Sequence, residues 1–129
     1  MKYFNAKEIL AMPEKNSDAR VYTAEEGKNY FVNISYKDHA EKLIAESHTF
    51  EDDIYVVKEG GADLYLGGEI VNNHEISDGQ WRGDDLTGDV TKYQISAGDM
   101  VFIPAGTPHM LDARNSMIKL VIVKVICGA

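Results

Sequence analysis

The stretch from Gly98 to His109 constrains the fold of this chain more than any other part of the sequence. It opens with a Gly-Asp pair that favours a turn, and the four apolar residues 100–103 that follow are long enough for one buried strand. Pro104 and Gly106 end that strand and turn the chain. The segment closes on His109, which the pattern places at the start of the next strand. This order of elements predicts an imidazole aimed at the inside of a small β structure.

Short strands separated by glycine turns account for most of the remaining sequence. Two alternating segments rich in strand-forming residues, 20–24 and 29–36, predict a hairpin. Further strands are predicted over residues 54–57, 62–66, 69–71, 91–96 and 117–126, and over a segment that begins at Leu111. Gly60-Gly61 and Gly67-Gly68 are interpreted as turns between them, and residues 112–116 as a hairpin turn. Many short strands of this kind indicate an all-β sandwich or barrel.

Three segments are less regular. Residues 6–12 predict a short N-terminal helix that Pro13 ends. Asp38 and Glu41 have the spacing of a helix capping box, yet an extended chain over 38–46 would place alternate residues on one face, and both interpretations stay open here. The segment 72–90 is polar and punctuated by glycine, and it is long for a structureless loop, which predicts a functional segment or one folded onto the body of the protein.

Composition narrows the class of protein. A length of 129 residues and an apolar fraction of 44 % predict one domain, 1–129, with an ordinary core. The net charge of −8 argues against nucleic acid and against anionic membrane surfaces as partners. The N-terminus has no apolar signal region, and the lone Cys127 fits a reducing compartment, so we expect a cytoplasmic protein. Small molecules and self-association are the partners left.

The spacing Gly-x5-Pro-x-Gly-x2-His over 98–109 resembles the second motif of the cupin family. The usual first motif is His-x-His, three or four residues, Glu, six residues and Gly. This chain reads Glu46-Ser-His48-x4-Asp53-x6-Gly60, so it keeps the second histidine and the glycine but replaces the first histidine and the glutamate. The asparagine that often ends the second motif is Ala113 here. The resemblance implies a double-stranded β-helix, the cupin jelly roll, and a homodimer.

A divalent transition metal is the cofactor that this resemblance implies. His48, Asp53 and His109 would be its ligands, because two neutral imidazoles and one carboxylate suit iron, manganese, zinc or nickel with positions left open for substrate. Glu46, two residues from His48 on the same face, is either a fourth ligand or a proton-transferring base. Because aspartate is one methylene shorter than glutamate, Asp53 alternatively holds a histidine from outside the ligand shell.

Three further side chains are candidates for contact with substrate. Tyr55 shares the inward parity of Asp53 and Val57, so it is either a core residue or a catalytic hydroxyl. Trp81 and Arg82 stand in the glycine-flanked segment, where they would cover the barrel and bind a substrate carboxylate. The alternative is a loop that packs on the sandwich or joins a dimer. His39 and His74 lie in polar surroundings and are expected at the surface.

Two classes of function fit these residues. The first is a metal-dependent enzyme of lyase, isomerase or dioxygenase type that acts on a small oxygen-bearing organic molecule, because a metal ion polarises a carbonyl or carboxylate oxygen. The second is a barrel that binds or senses a small molecule without catalysis and without need of a metal, which the degenerate first motif favours. A metal-free protein whose role is self-association is a third interpretation. The fold does not choose among them.

Overall fold

A computed structural model describes residues 2–127 of the chain. It contains the short helix α1 (Ala6–Leu10) and strands β1 (Ser17–Thr23), β2 (Tyr30–Asp38), β3 (Ala45–His48), β4 (Glu51–Val71), β5 (His74–Ser77), β6 (Gln80–Gly83), β7 (Asp85–Ser96), β8 (Met100–Ile103), β9 (His109–Asp112) and β10 (Met117–Ile126). The predicted all-β class with a short N-terminal helix is therefore confirmed.

Two antiparallel sheets face each other. The first sheet has the order β1-β2-β10-β4-β8, and the second has the order β7-β4-β9-β3-β6-β5. Strand β4 belongs to both, since residues 51–60 pair with β10 and β8 whereas residues 61–71 pair with β7 and β9. This one strand carries the chain around the edge of the sandwich, as in the predicted jelly roll.

The expected turns at Gly60-Gly61 and Gly67-Gly68 are wrong, because β4 continues through both glycine pairs. Gly60 has a φ of +70° and pairs with Ile118, two residues beyond Lys58, the extra residue of a bulge in β4 opposite β10, so the strand bends here without reversing. A side chain at Gly60 would collide with the carbonyl oxygen of Met117. A second register shift, opposite β7, falls at Gly67-Gly68. The first glycine pair therefore marks a bend where β4 passes from one sheet to the other, and the second pair marks a bend within the second sheet.

The segment 72–90 is not a loop. It forms β5, β6 and the start of β7, and it extends the second sheet beyond β3. All four residues of β5 are exposed, so this strand buries no apolar side chain and shows no alternation of buried and exposed positions. That is why the sequence pattern missed it. The other prediction for this segment, that it folds onto the body, agrees with its pairing to β3.

The segment after β2 resolves in favour of the extended interpretation. Glu46 and His48 lie on β3, and 38–46 contains no helix. The predicted hairpin of β1 and β2 is confirmed. Residues 100–103 do form a strand, but not a buried one, because β8 lies at the edge of the first sheet with Met100 and Phe102 58 % and 64 % exposed.

The core lies between the two sheets. Its buried members are Tyr55, Val57, Ala62, Leu64, Ile95, Ile103, Ala113, Ile118, Leu120 and Ile122. Along β10 the buried positions alternate, and the next inward position after Ile122 is Lys124. The core thus gives way to polar side chains at one end, where a cavity of about 950 Å³ opens between the sheets. In the described residues no helix has the length and hydropathy of a membrane span.

Candidate metal centre

Strands β3 and β9 bring the predicted histidines together at the inner end of the cavity. They are neighbours in the second sheet, with Glu46 opposite His109. By the twofold repeat of a strand, His48 faces the same side as Glu46. The two imidazole rings have centroids 5.1 Å apart, and both side chains are buried, with His48 4 % and His109 2 % exposed. Glu46 Oε1 lies 3.2 Å from His109 Nε2 and 3.6 Å from His48 Nε2.

The hydrogen bonds of the outer ring nitrogens orient both imidazoles toward one point. His109 Nδ1 lies 2.9 Å from the carbonyl oxygen of Thr107, which only accepts, so this nitrogen carries the proton. His48 Nδ1 lies 2.6 Å from Gln80 Oε1, and Gln80 donates its amide to Glu51. When the rings are neutral, the Nε2 atom of each ring therefore carries the lone pair. A fixed tautomer of this kind is the usual state of a metal-binding histidine.

The spacing of the three inner atoms fits a transition metal. Glu46 Oε1, His48 Nε2 and His109 Nε2 all lie within 4.8 Å of one another. Two ligands that each lie about 2.1 Å from a tetrahedral ion are about 3.4 Å apart, close to the contacts that Glu46 makes with the two rings. Two imidazoles and a carboxylate are also a donor set that such ions accept. These residues therefore could hold an ion without rearrangement of the backbone.

Asp53, on β4, faces the same histidines with one carboxylate oxygen and binds Lys124 with the other. Its Oδ2 lies 3.3 Å from His48 Nε2 and 3.7 Å from His109 Nε2, and it has no hydrogen bond of good geometry within residues 2–127. Its Oδ1 accepts a hydrogen bond of 2.7 Å from Lys124 Nζ. With 2 % exposure, Asp53 is among the most buried side chains. Its partly unsatisfied carboxylate leaves one oxygen free for a cation beside the imidazoles.

The charges of the site keep both carboxylates ionised. Burial raises the pKa of Glu46, but hydrogen bonds from His109 and His48 and the charge of Arg82 outweigh burial and hold this pKa well below its usual range. Burial likewise raises the pKa of Asp53, and His48 and Lys124 reverse the effect, so the net shift is downward. Both groups are therefore acceptors or ligands at neutral pH, not proton donors.

The pKa of His48 shifts upward, in the opposite direction to the pKa values of the two carboxylates. Burial lowers its pKa, but the hydrogen bonds to Asp53 and Glu46 prevail and raise the pKa to about 9. Without a metal, this ring is thus protonated at neutral pH, and its positive charge offsets part of the negative charge of Glu46 and Asp53. A metal ion would replace that proton, because it needs the same Nε2 lone pair.

Tyr55 stands beside this cluster on β4. It lines the cavity and meets the ring of His109 edge-on, with centroids 6.3 Å apart. Burial, followed by the negative charges of Glu46 and Asp53, raises the pKa of Tyr55 well above its usual value. The phenol therefore stays neutral and can donate a hydrogen bond, which makes it a poor base.

The predicted pair Trp81 and Arg82 separates, because neighbouring residues of β6 point to opposite faces. Arg82 lines the cavity, and its Nε lies 3.3 Å from Glu46 Oε2. Trp81 is not among the residues that line the cavity, and its indole donates to Thr49 Oγ1. The expected cover over the barrel is replaced by a paired strand, so Arg82 contacts the cluster and Trp81 does not.

Sequence reasoning missed two residues of this centre. Lys124 Nζ lies 2.7 Å from Asp53 Oδ1, 3.5 Å from Glu51 Oε1 and 3.4 Å from His48 Nε2. A signal was present, since a lysine at an inward position of an otherwise apolar strand is unusual. Gln80, which orients His48, stands in the polar, glycine-punctuated segment 72–90, where no local pattern indicated it.

The comparisons with known proteins rest on structure. No protein-family model matches the sequence, and no curated protein matches it. The fold does resemble solved structures. A cupin-2 domain protein from Shewanella frigidimarina has 17 % identity and a TM-score of 0.59 over 95 % of this chain and 93 % of that one. KdgF from a Halomonas species has 16 % identity and a TM-score of 0.56, over 86 % and 80 %. A cupin protein from Bacteroides fragilis has 15 % and 0.54, over 92 % and 83 %.

Identities this low establish architecture and leave the chemistry to the residues of this chain. The resemblance first seen in the Gly98–His109 spacing is matched by the element order, by the two facing sheets and by these neighbours. The chain has the cupin fold.

Proposed function

We propose that this protein is a metal-dependent enzyme that acts on a small oxygen-bearing organic molecule. Glu46, His48 and His109 would hold a divalent iron, manganese, zinc or nickel ion. The observation that carries the proposal is the convergence of two Nδ1-protonated imidazoles and one ionised carboxylate on the same point. The cavity that opens over this point gives a substrate access to it.

The two acidic residues take different parts in the proposal. Glu46 is favoured as a ligand over a base, because its pKa lies well below its usual range. Asp53 is either a fourth ligand through its partly unsatisfied Oδ2 or the partner that holds His48 in place. Either role of Asp53 is compatible with the hydrogen bond that Lys124 donates to its Oδ1, because Oδ2 still faces the imidazoles.

The chemistry would divide between the ion and the protein. When bound, the ion supplies a Lewis acid for a carbonyl, carboxylate or enolate oxygen. Tyr55 would donate a hydrogen bond to a substrate oxygen, since its phenol stays neutral. Arg82 would orient a substrate carboxylate from the cavity wall. Such a set of groups serves lyase, isomerase and dioxygenase reactions alike.

A second candidate function follows from Lys124. Its ammonium lies 3.4 Å from His48 Nε2, the nitrogen that a metal would need, so its positive charge opposes a cation at that position. A protein that stays in this state would bind small molecules in the cavity as a sensor or store without a metal. The metal content of the protein separates the two functions.

The test is elemental analysis of protein purified without a histidine tag and from medium that contains all four metals. We expect near-stoichiometric transition metal in the wild type and in the control His74→Ala, because His74 is exposed and lies on β5. We expect His109→Ala to lose most of it. Equal metal content in wild type and His109→Ala, or none in the wild type after titration with Zn²⁺ and Fe²⁺, would contradict the proposal.

A further inference from the structure

We propose that the cavity carries a second anchor, the guanidinium of Arg20, which binds the anionic far end of an elongated ligand whose near end lies at the metal centre. This inference rests on the proposed function, because the near end is taken to be bound through the metal. It adds a class of ligand that the metal centre alone does not define: an organic acid with oxygen donors at one end, a short apolar body and a carboxylate at the other end.

The surroundings of Arg20 orient its side chain toward a ligand. It lies on β1, lines the cavity, and its guanidinium carbon is 3.8 Å from the centroid of the Phe31 ring. Its Nε donates to Asn33 Oδ1 at 3.4 Å. Stacking and this bond restrict the rotation of the guanidinium and leave its terminal amino groups available. An arginine held in this way is suited to bidentate recognition of a carboxylate.

The guanidinium lacks a carboxylate partner within the protein. Among residues 2–127 no ion pair within 4.0 Å involves Arg20. Asp18, the acidic residue of β1 and also part of the cavity lining, lies 3.9 Å from Lys37 instead. By contrast, Arg82 and Lys124 at the metal centre both contact carboxylates. Arg20 is thus a cavity cation whose charge no acid of the described chain offsets at close range.

The register of the first sheet gives the separation of the two anchors. Arg20 pairs with Asn33, Asn33 with Ile122, and Ile122 with Tyr55, so the four residues form one row across β1, β2, β10 and β4. Three strand spacings place the Cα atoms of Arg20 and Tyr55 about 14 Å apart. Tyr55 touches the ring of His109. Since both end residues have long side chains, a ligand with a few carbon atoms between its polar ends would span the gap.

The floor between the anchors combines Asn33 with the apolar side chains of Ile122 and Phe31. Ile122 and Phe31 are each 9 % exposed and both line the cavity. An aliphatic body lying across them would lose water contact, while its two ends stay next to charged groups. The volume of about 950 Å³ also exceeds what an acid of two or three carbons needs. The volume of the cavity, the side chains of its floor and the charge of Arg20 therefore all favour an elongated acid as the ligand.

Matched pairs of 2-oxo acids test this inference on the Co²⁺-loaded protein. A 2-oxo acid chelates a metal ion through its carboxylate and carbonyl oxygens. The probes are 2-oxoglutarate, 2-oxoadipate and 2-oxopimelate, each compared with the monoacid of equal chain length, 2-oxopentanoate, 2-oxohexanoate and 2-oxoheptanoate. Dissociation constants are read from the change in the Co²⁺ absorption spectrum. At one chain length or more, we expect the diacid to bind about 10- to 100-fold more tightly than its monoacid.

The substitution Arg20→Gln should bring that ratio close to unity and leave the affinity for the monoacid unchanged. The control Arg114→Gln, an exposed arginine outside the cavity lining, should keep the wild-type ratio. Retained Co²⁺ binding shows that the Arg20→Gln variant is folded. A diacid preference at no chain length, an equal preference in Arg20→Gln, or a Co²⁺-loaded protein that binds none of the six acids overturns the inference. A protein that binds no Co²⁺ at all overturns the proposed function itself.

Discussion

The two imidazoles of the candidate centre are held by different kinds of structure. His109 donates its Nδ1 proton to the carbonyl of Thr107, two residues earlier in its own turn. His48 donates to Gln80, 32 residues away on β6, and its Nε2 faces Asp53 on β4 and Lys124 on β10. One half of the site is thus fixed by local backbone, and the other by side chains from three distant strands. The β3 half should therefore be much the more sensitive to substitution of its neighbours.

The largest expected effect is a loss of folding stability on substitution of Asp53, which lies beside His48. Asp53→Asn removes the charge that Lys124 contacts at 2.7 Å inside the protein. Breaking a buried pair costs about 3 to 5 kcal/mol, and because Glu51 stays 3.5 Å from Lys124 Nζ, the free energy of unfolding should fall by the lower value, about 3 kcal/mol. Asp63→Asn is the control, because Asp63 pairs with Lys92 near the surface, and it should cost less than about 0.5 kcal/mol. Urea unfolding measures both, and equal losses would show that the Asp53 pair has no special weight.

The next effect is the pH dependence of the metal-free protein. The pKa of His48 is about 9 in the folded chain, against 6.5 for a free histidine. The protonated ring therefore stabilises the fold fully below pH 6.5, and this contribution is lost as the pH rises through 9. We expect a loss on the order of 2 kcal/mol between these values.

The measurement is thermal unfolding in EDTA from pH 6 to pH 10, with His48→Gln alongside the wild type. The decline that is present in the wild type should be absent in His48→Gln. A stability that stays level over this range in the wild type would contradict the assignment of a raised pKa to His48.

A smaller effect separates the two ways of orienting a ring. Gln80→Ala removes the acceptor of His48 Nδ1, and loss of such a partner typically lowers metal affinity by about 10-fold or more. Thr107→Ala keeps the backbone carbonyl that orients His109, so it should leave the affinity within about 2-fold of the wild type. Competition between Co²⁺-loaded protein and a chelator gives both values. If Thr107→Ala weakened binding as much as Gln80→Ala, the contrast between the two halves would be wrong.

The same contrast explains what the sequence could predict. The strand, the turn and the histidine of 98–109 could be predicted because contiguous residues determine them. The predicted fold followed from that stretch together with the other predicted strands. The turns expected at Gly60 and Gly67 failed because a glycine pair signals bends and reversals alike. The strand bearing Arg82 was missed because its neighbour β5 has no buried side.

The candidate site was predicted unevenly for the same reason. His48, His109 and Glu46 were placed together from motif spacing and strand parity. The position of Asp53 beside Lys124 depends on the register of β10 against β4, in which these two residues pair directly. Register is set by packing over the whole sheet, so no stretch of sequence near Asp53 indicated its partner.

An anomalous difference map from a crystal grown with Co²⁺ would test the central claim most directly. A metal-dependent cupin site predicts one strong peak within bonding distance of His48 Nε2, His109 Nε2 and a carboxylate oxygen of Glu46, with Lys124 turned to Asp53 alone. A map without a peak there, in a crystal where Lys124 Nζ still contacts His48 Nε2, would contradict the metal centre and favour a metal-free binding protein.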